Sequence, residues 1–152
     1  TFVENVLEHD PIAEQNRFRS EVEKAARWVT LKMAMADGSI AQEELIEISV
    51  LLKGLLDRDV PIAELEAEAP SVTADQQSVE DYLKTMAGML NGNGKAQVMR
   101  GLLAVALADG HFDKAERAFA IRCGNALLLD PAHTRGLIAE AEEHAAREAA
   151  QG

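Results

Sequence analysis

Two stretches decide how this chain is read: Met35-Ala-Asp-Gly-Ser-Ile-Ala-Gln-Glu-Glu44 and Leu107-Ala-Asp-Gly-His-Phe-Asp-Lys-Ala-Glu116. Laid one over the other, Asp37 aligns with Asp109, Gly38 with Gly110, Ile40 with Phe112 and Glu44 with Glu116, every pair offset by 72. The shared pattern is Ala-Asp-Gly-x-apolar-x-x-x-Glu. In both copies an apolar helical pattern leads in and an amphipathic one leads out. One match of this length carries little weight, but two at equivalent places in a helix pair predict a duplicated helix–Asp-Gly–helix unit. The repeats span about 20–57 and about 95–129.

Outward from these turns the pattern is helical throughout. Val22, Val29, Met33 and Ala36 recur at helical spacing from about Ala13 to Met35, and Gly38 suits the stop. Leu45, Ile48, Leu52 and Leu55 form one apolar stripe on a helix from about Gln42 to Leu56. A short third helix follows Pro61 and is expected to end near Ala69, broken by Pro70-Ser71. Thr73 or Asp75 is the expected cap of a fourth, running to about Leu90, and Asn91-Gly92-Asn93-Gly94 reads as a breaking turn. The fifth, about Lys95 to Ala108, is apolar on every side over Gly101–Ala108 and is expected to be central. Asp113 with Glu116 has capping-box spacing for the sixth, and Asp130-Pro131 opens a seventh whose polar end is expected to fray. Residues 1–12 are ambiguous between loop and short helix. The expectation is an all-α bundle of about seven helices forming one domain over 1–152.

Composition agrees. Of 152 residues, 47% are apolar but only 4% aromatic, so Ala, Leu, Ile, Val and Met must build the core. Acids outnumber bases 26 to 15, and the net charge of −11 makes nucleic acid a poor partner and a cation or a basic protein surface a better one. A lone cysteine, Cys123, allows no intrachain disulfide. The longest uncharged apolar run, Gly101–Ala108, is too short for a bilayer, and no signal-peptide pattern is present, so a cytoplasmic protein without membrane insertion is expected.

Asp37 and Asp109 each sit where a long helix ends, so the carboxylate opposes the helix dipole by ~0.3–1 kcal/mol when exposed. The sequence does this twice. Either the N–H groups of the following helix or a bound cation can compensate. The pattern also matches half of a calcium-binding EF-hand loop: with the glycine at loop position six, the aspartates fall at five and the glutamates at twelve. Positions one and three are then Met33 and Met35, or Val105 and Leu107, none with a side-chain oxygen. An ordinary EF-hand is excluded. A cation site must pool both turns, drawing on Asp37, Glu44, Asp109 and Glu116, with Glu43 and Asp113 as further candidates; such oxygens suit Ca²⁺ or Mg²⁺. The competing reading makes the acids helix caps and turn residues. Ala41, which aligns with Asp113, cannot cap, and yet Glu44 is present.

The same residues resemble the TerB family, small acidic helical proteins of tellurite-resistance and stress-response operons. Ala36-Asp37-Gly38 with Glu43-Glu44 carries the likeness, as does Asp109-Gly110-His111-Phe112-Asp113 with Glu116. Gly124, Leu127–Leu129 and Asp130-Pro131-Ala132 extend it. It covers roughly residues 20–140 and is more specific in the second copy; residues 57–75 match nothing in it. The resemblance implies two repeats packed together, with the acids of the paired turns chelating a divalent cation, Ca²⁺ favoured over Mg²⁺. It also implies a non-catalytic adaptor or accessory role with a protein partner, such as a membrane-associated stress-response complex. Related domains occur in membrane-tethered co-chaperones. An ion-free acidic interaction module is the alternative, and a metal-dependent hydrolase a third.

Other residues read more plainly. His9, His111, His133 and His144 are scattered, with His111 in the second turn. Cys123 and the five methionines read as core filling. The sequence leaves open whether Trp28 and Tyr82 are surface or interface residues. Glu64-Leu-Glu-Ala-Glu68 reads as a solvated face. No nucleophile–base pair or phosphate-binding glycine loop stands out.

Overall fold

A computed structural model of the chain describes residues 11–36, 39–108 and 112–151, with side chains from residue 19 onward. These residues form seven helices: α1 (Pro11–Ala34), α2 (Gln42–Leu56), α3 (Ile62–Ala74), α4 (Val79–Met86), α5 (Gly92–Ala106), α6 (Lys114–Ala126) and α7 (Pro131–Gln151). No strand occurs among the described residues. Buried Ala, Leu, Ile, Val and Met side chains from all seven helices join in one cluster.

The frame is the pair α1–α5, the most extensive helix contact in the molecule. A Cβ added at Gly94 would lie 2.7 Å from Val22 Cγ2, and one at Gly101 would lie 3.5 Å from Thr30 Cγ2. Early residues of α1 thus meet early residues of α5, and later meet later, so the two helices run parallel. α2 and α3 lie against α1, with α2 reaching α5 as well, while α6 and α7 lie against α5 and α4 bridges α1 and α6.

Several expected boundaries shift, each for a physical reason. Asn91-Gly92-Asn93-Gly94 is a helix start, not a break: Asn91 is the N-cap, its side chain accepting the Gly94 N–H at 2.8 Å. Glycines in a first turn cost helix propensity, but the missing Cβ at Gly94 lets α5 seat on Val22. The chain turns earlier, at Ala87–Leu90. Pro70 does not end α3, which continues to Ala74. Beyond the proline the helix is held by Ser71 and Thr73, whose hydroxyls donate to the Glu68 and Ala69 carbonyls, and by Lys32, whose ammonium caps the C-terminus by donating to the Val72 and Asp75 carbonyls. Ser78, not Thr73 or Asp75, caps α4. The centre of α5 is buried through Leu103, but Ala104–Leu107 are half-exposed, so it is less enclosed than its composition predicts. α7 stays helical to Gln151, tied down by Arg100–Glu140 and Arg117–Glu142 ion pairs.

Trp28 and Tyr82 resolve as core. Their rings stack at 4.0 Å with planes 10° apart, joining α1 to α4, and the indole N–H donates to Asp75. Burial, then the nearby Glu21, Glu68 and Asp75 carboxylates, push the Tyr82 phenol up to about 12. Cys123 is fully buried, and burial pushes its thiol up to about 12. Met35, Met86 and Met99 fill the core and Met33 packs against it, but Met89 is 45% exposed. Glu64 and Glu68 are not merely solvated: both pair with Arg27 of α1.

α6 ends in a Schellman motif, with Leu129 N–H donating to the Gly124 carbonyl and Leu128 N–H to the Asn125 carbonyl. Leu128 occupies the left-handed position at φ 62° and is 75% exposed. Leu128→Gly is therefore expected to stabilise the protein by about 0.5–1 kcal/mol, since it relieves the Cβ clash and loses little packing. Two residues share the α6–α7 contact: a Cβ on Gly124 would sit 2.3 Å from Thr134 Oγ1. Gly124→Ala should cost about 1–3 kcal/mol, and Thr134→Ala in the same chain should restore part of that loss. Urea denaturation of the three variants and the double mutant checks both expectations.

Candidate functional site

The two helices that lead into the acidic turns end alike. Met35 N–H donates to the Leu31 carbonyl and Ala36 N–H to Met33; 72 residues on, Leu107 N–H donates to Leu103 and Ala108 N–H to Val105. The helices leading out begin alike. Ala41 and Asp113 are the N-caps, with φ −80° and −81° and extended ψ, and their carbonyls accept from Leu45 and Arg117. Ile40 and Phe112 are both half-buried against the core. At the far ends the two differ in register: α2 stops with Asp57 in the left-handed region and α6 with Leu128.

Because α1 and α5 run parallel, Ala36 and Ala108 leave the pair at the same end. From Thr30 to Ala36, and from Gly101 to Ala108, each helix rises roughly 9–10 Å. Asp37, Gly38, Asp109, Gly110 and His111 lie outside the described residues, as does His9. Of the residues at the would-be EF-hand positions one and three, Met35 is buried in the core, Met33 packs against it, and Val105 and Leu107 are half-exposed.

The remaining candidate ligands stand in two separate places. Glu43 and Glu44 lie in the first turn of α2, Asp113 and Glu116 at the start of α6. No residue of α2 comes within 8 Å, Cα to Cα, of α6. α2 packs on α1, α3 and α5, and α6 on α4, α5 and α7. Any ion shared by the turns would be bridged by side chains across that end, not by helix contact. Among the described residues alone, no group of three or more His, Cys, Asp or Glu could hold a metal.

The two copies also differ in how their acids are used. Asp113 Oδ1 accepts the Glu116 N–H at 2.8 Å and Glu116 Oε1 accepts the Asp113 N–H at 3.3 Å, a complete capping box. The capping reading therefore holds for these two acids, although Glu116 keeps its second oxygen. α2 has no side-chain cap at Ala41, and Glu44, at the position matching Glu116, is half-exposed. Of the described acids, Asp113 and Glu116 are engaged with each other's backbone N–H, whereas Glu44 is in no such box.

A family model described as "Tellurite resistance protein TerB" matches residues 23–139. The chain belongs to the TerB family. The match runs from the second turn of the core-packed part of α1 into α7 and takes in both acidic turns. It also spans α3, whose residues carried no family likeness in the sequence. No curated protein and no solved structure matches the chain. Among the described residues no helix is long and apolar enough to cross a membrane.

Sequence reasoning missed one feature beside the first turn. A cleft of about 620 Å³ opens between Ile40, the start of α2 and the second half of α3. Pro70, inside α3, is one of its lining residues.

The cap asymmetry is testable. Ala41→Asp should stabilise the protein by about 0.5–1 kcal/mol by supplying the missing cap, whereas Asp113→Ala should cost about 1 kcal/mol. Chemical denaturation of the two variants beside the parent measures both.

Proposed function

We propose that this TerB domain is a non-catalytic adaptor that holds a divalent cation, Ca²⁺ in preference to Mg²⁺, at its paired acidic turns within a tellurite-resistance or stress-response system. The observation that carries the reading is the parallel α1–α5 pair. It delivers the residues next to both turns to one end of the molecule, with matched hydrogen bonds before and after each turn. The Val22–Gly94 contact has the same offset of 72 as the two motifs, which supports a pseudo-symmetric duplication. Asp37, Glu44, Asp109 and Glu116 are the proposed ligands, with Glu43 and Asp113 beside them.

A cation explains what capping leaves over. Asp113 and Glu116 satisfy each other without an ion, but Glu44 has no such box, and Asp37 follows a helix end whose dipole it opposes. The capping box favours the second reading, an ion-free acidic module that docks a basic surface, for the α6 side alone. A cytoplasmic location and a protein partner belong to the same proposal.

Calorimetric titration of Ca²⁺ into metal-free protein tests it. Heat with a thermal upshift is expected, and Asp37→Asn with Asp109→Asn should weaken binding at least tenfold while leaving helical content unchanged. Absence of heat and of any shift in Tm at millimolar Ca²⁺ and Mg²⁺ would remove the ion from the proposal.

A further inference from the structure

We infer that the cleft beside the first turn is a docking groove for a cationic amphipathic helix of a partner protein. The floor is apolar: Met35, Ile40, Leu45, Ala69 and Pro70 line a space of about 620 Å³, enough for the anchor side chains of one helix face. Its apolar surface continues outward over α2. At 100° per residue, Ile46 and Val50 fall between the groove-lining Gln42 and Leu45 on one side and Glu43 and Glu47 on the other. Both are open to solvent, Ile46 at 45% and Val50 at 67%.

The edges of this apolar strip are acidic, and their charge is left over. On α3, Glu64 and Glu68 turn toward α1 and pair with Arg27, whereas Glu66 lines the cleft. Several acids elsewhere are matched: Glu23 with Arg58, Glu80 with Arg122, Glu140 with Arg100 and Glu142 with Arg117. Glu43, Glu47 and Glu66 make no ion pair with a described Lys or Arg. Pro70 adds to this, since it has no N–H to offer the Glu66 carbonyl and leaves that wall rich in acceptors.

An apolar strip between two unmatched acidic edges complements a helix with Leu, Ile or Phe anchors flanked by Lys and Arg. It repels an anionic membrane surface and nucleic acid, which leaves protein as the occupant. The inference extends the adaptor half of the proposed function and is independent of the ion: neither Glu47 nor Glu66 is a proposed ligand.

The test is selection of a displayed library of random 16-residue peptides on the full chain, in EGTA and again in Ca²⁺. Enriched sequences should place apolar residues at i, i+3 or i+4, i+7 among Lys and Arg. A synthesised winner should shift the amide resonances of the first half of α2 and the second half of α3. Glu47→Lys with Glu66→Lys should weaken its binding at least tenfold, as should Ile46→Ser with Val50→Ser. The control, Glu143→Lys with Glu148→Lys on the exposed end of α7, should change it less than twofold. Circular-dichroism melts confirm that each variant is folded. The inference is overturned by acidic or neutral winners, by no enrichment in either buffer, by resonance shifts outside α2 and α3, or by a control effect equal to that of the groove variants. Each of these leaves the calorimetric test of the ion untouched.

Discussion

Gly94 lets α5 approach α1 until Val22 touches its backbone, and the parallel seating that results orders everything else. Two helices that run the same way cannot be joined by a tight turn, so the chain must travel back between them. α2, α3 and α4 make that return, and all three pack on α1. The parallel sense also has an electrostatic consequence. Both helix C-termini, each carrying partial negative charge, lie at one end, and each is followed in sequence by an aspartate. Antiparallel partners would have cancelled their dipoles; this pair adds them. Whatever compensates the acids must act at that single end, either the N-termini of α2 and α6 or a cation.

The helices were legible because their period is. The stripe Leu45–Ile48–Leu52 places α2 residue for residue, and the capping box of Asp113 and Glu116 and the Asp130-Pro131 start appear in the structure as the sequence reads. What was not legible depended on other parts of the chain. Gly94 looks like a breaker until Val22 is opposite it. Pro70 looks like a stop until Lys32, reaching over from α1, caps the carbonyls beyond it. Trp28 and Tyr82 are undecided one at a time, and only the α1–α4 contact makes them a stacked pair. In each case local propensity is outweighed by a tertiary contact of about 1 kcal/mol or more, the scale on which helix propensities themselves differ.

The candidate site was legible in outline for a different reason. Its residues announce themselves by repetition, and the backbone on either side of the turns keeps the repeat bond for bond. The division of labour within it was only half visible. Ala41 in place of Asp113 marks the first copy as uncapped from sequence alone, and the structure agrees. That α2 and α6 stay apart could not be read, because it depends on which helices each packs against, α2 on α1, α3 and α5 and α6 on α4, α5 and α7.

Charge follows the same asymmetry. In a chain with a net charge of −11, five arginines are held in ion pairs: Arg27 joins α1 to α3, Arg58 pairs with Glu23 of α1, and Arg100, Arg117 and Arg122 bind α7 and α4. Exposed pairs of this kind contribute little stability each, and their effect here lies in distribution. None of them reaches the carboxylates at the start of α2 or Glu66 of α3. The uncapped helix start, the free Glu44, the apolar cleft and the exposed Ile46 and Val50 all lie on or beside α2. The start of α2 is thus uncapped beside an open cleft, while the start of α6 is closed by its capping box.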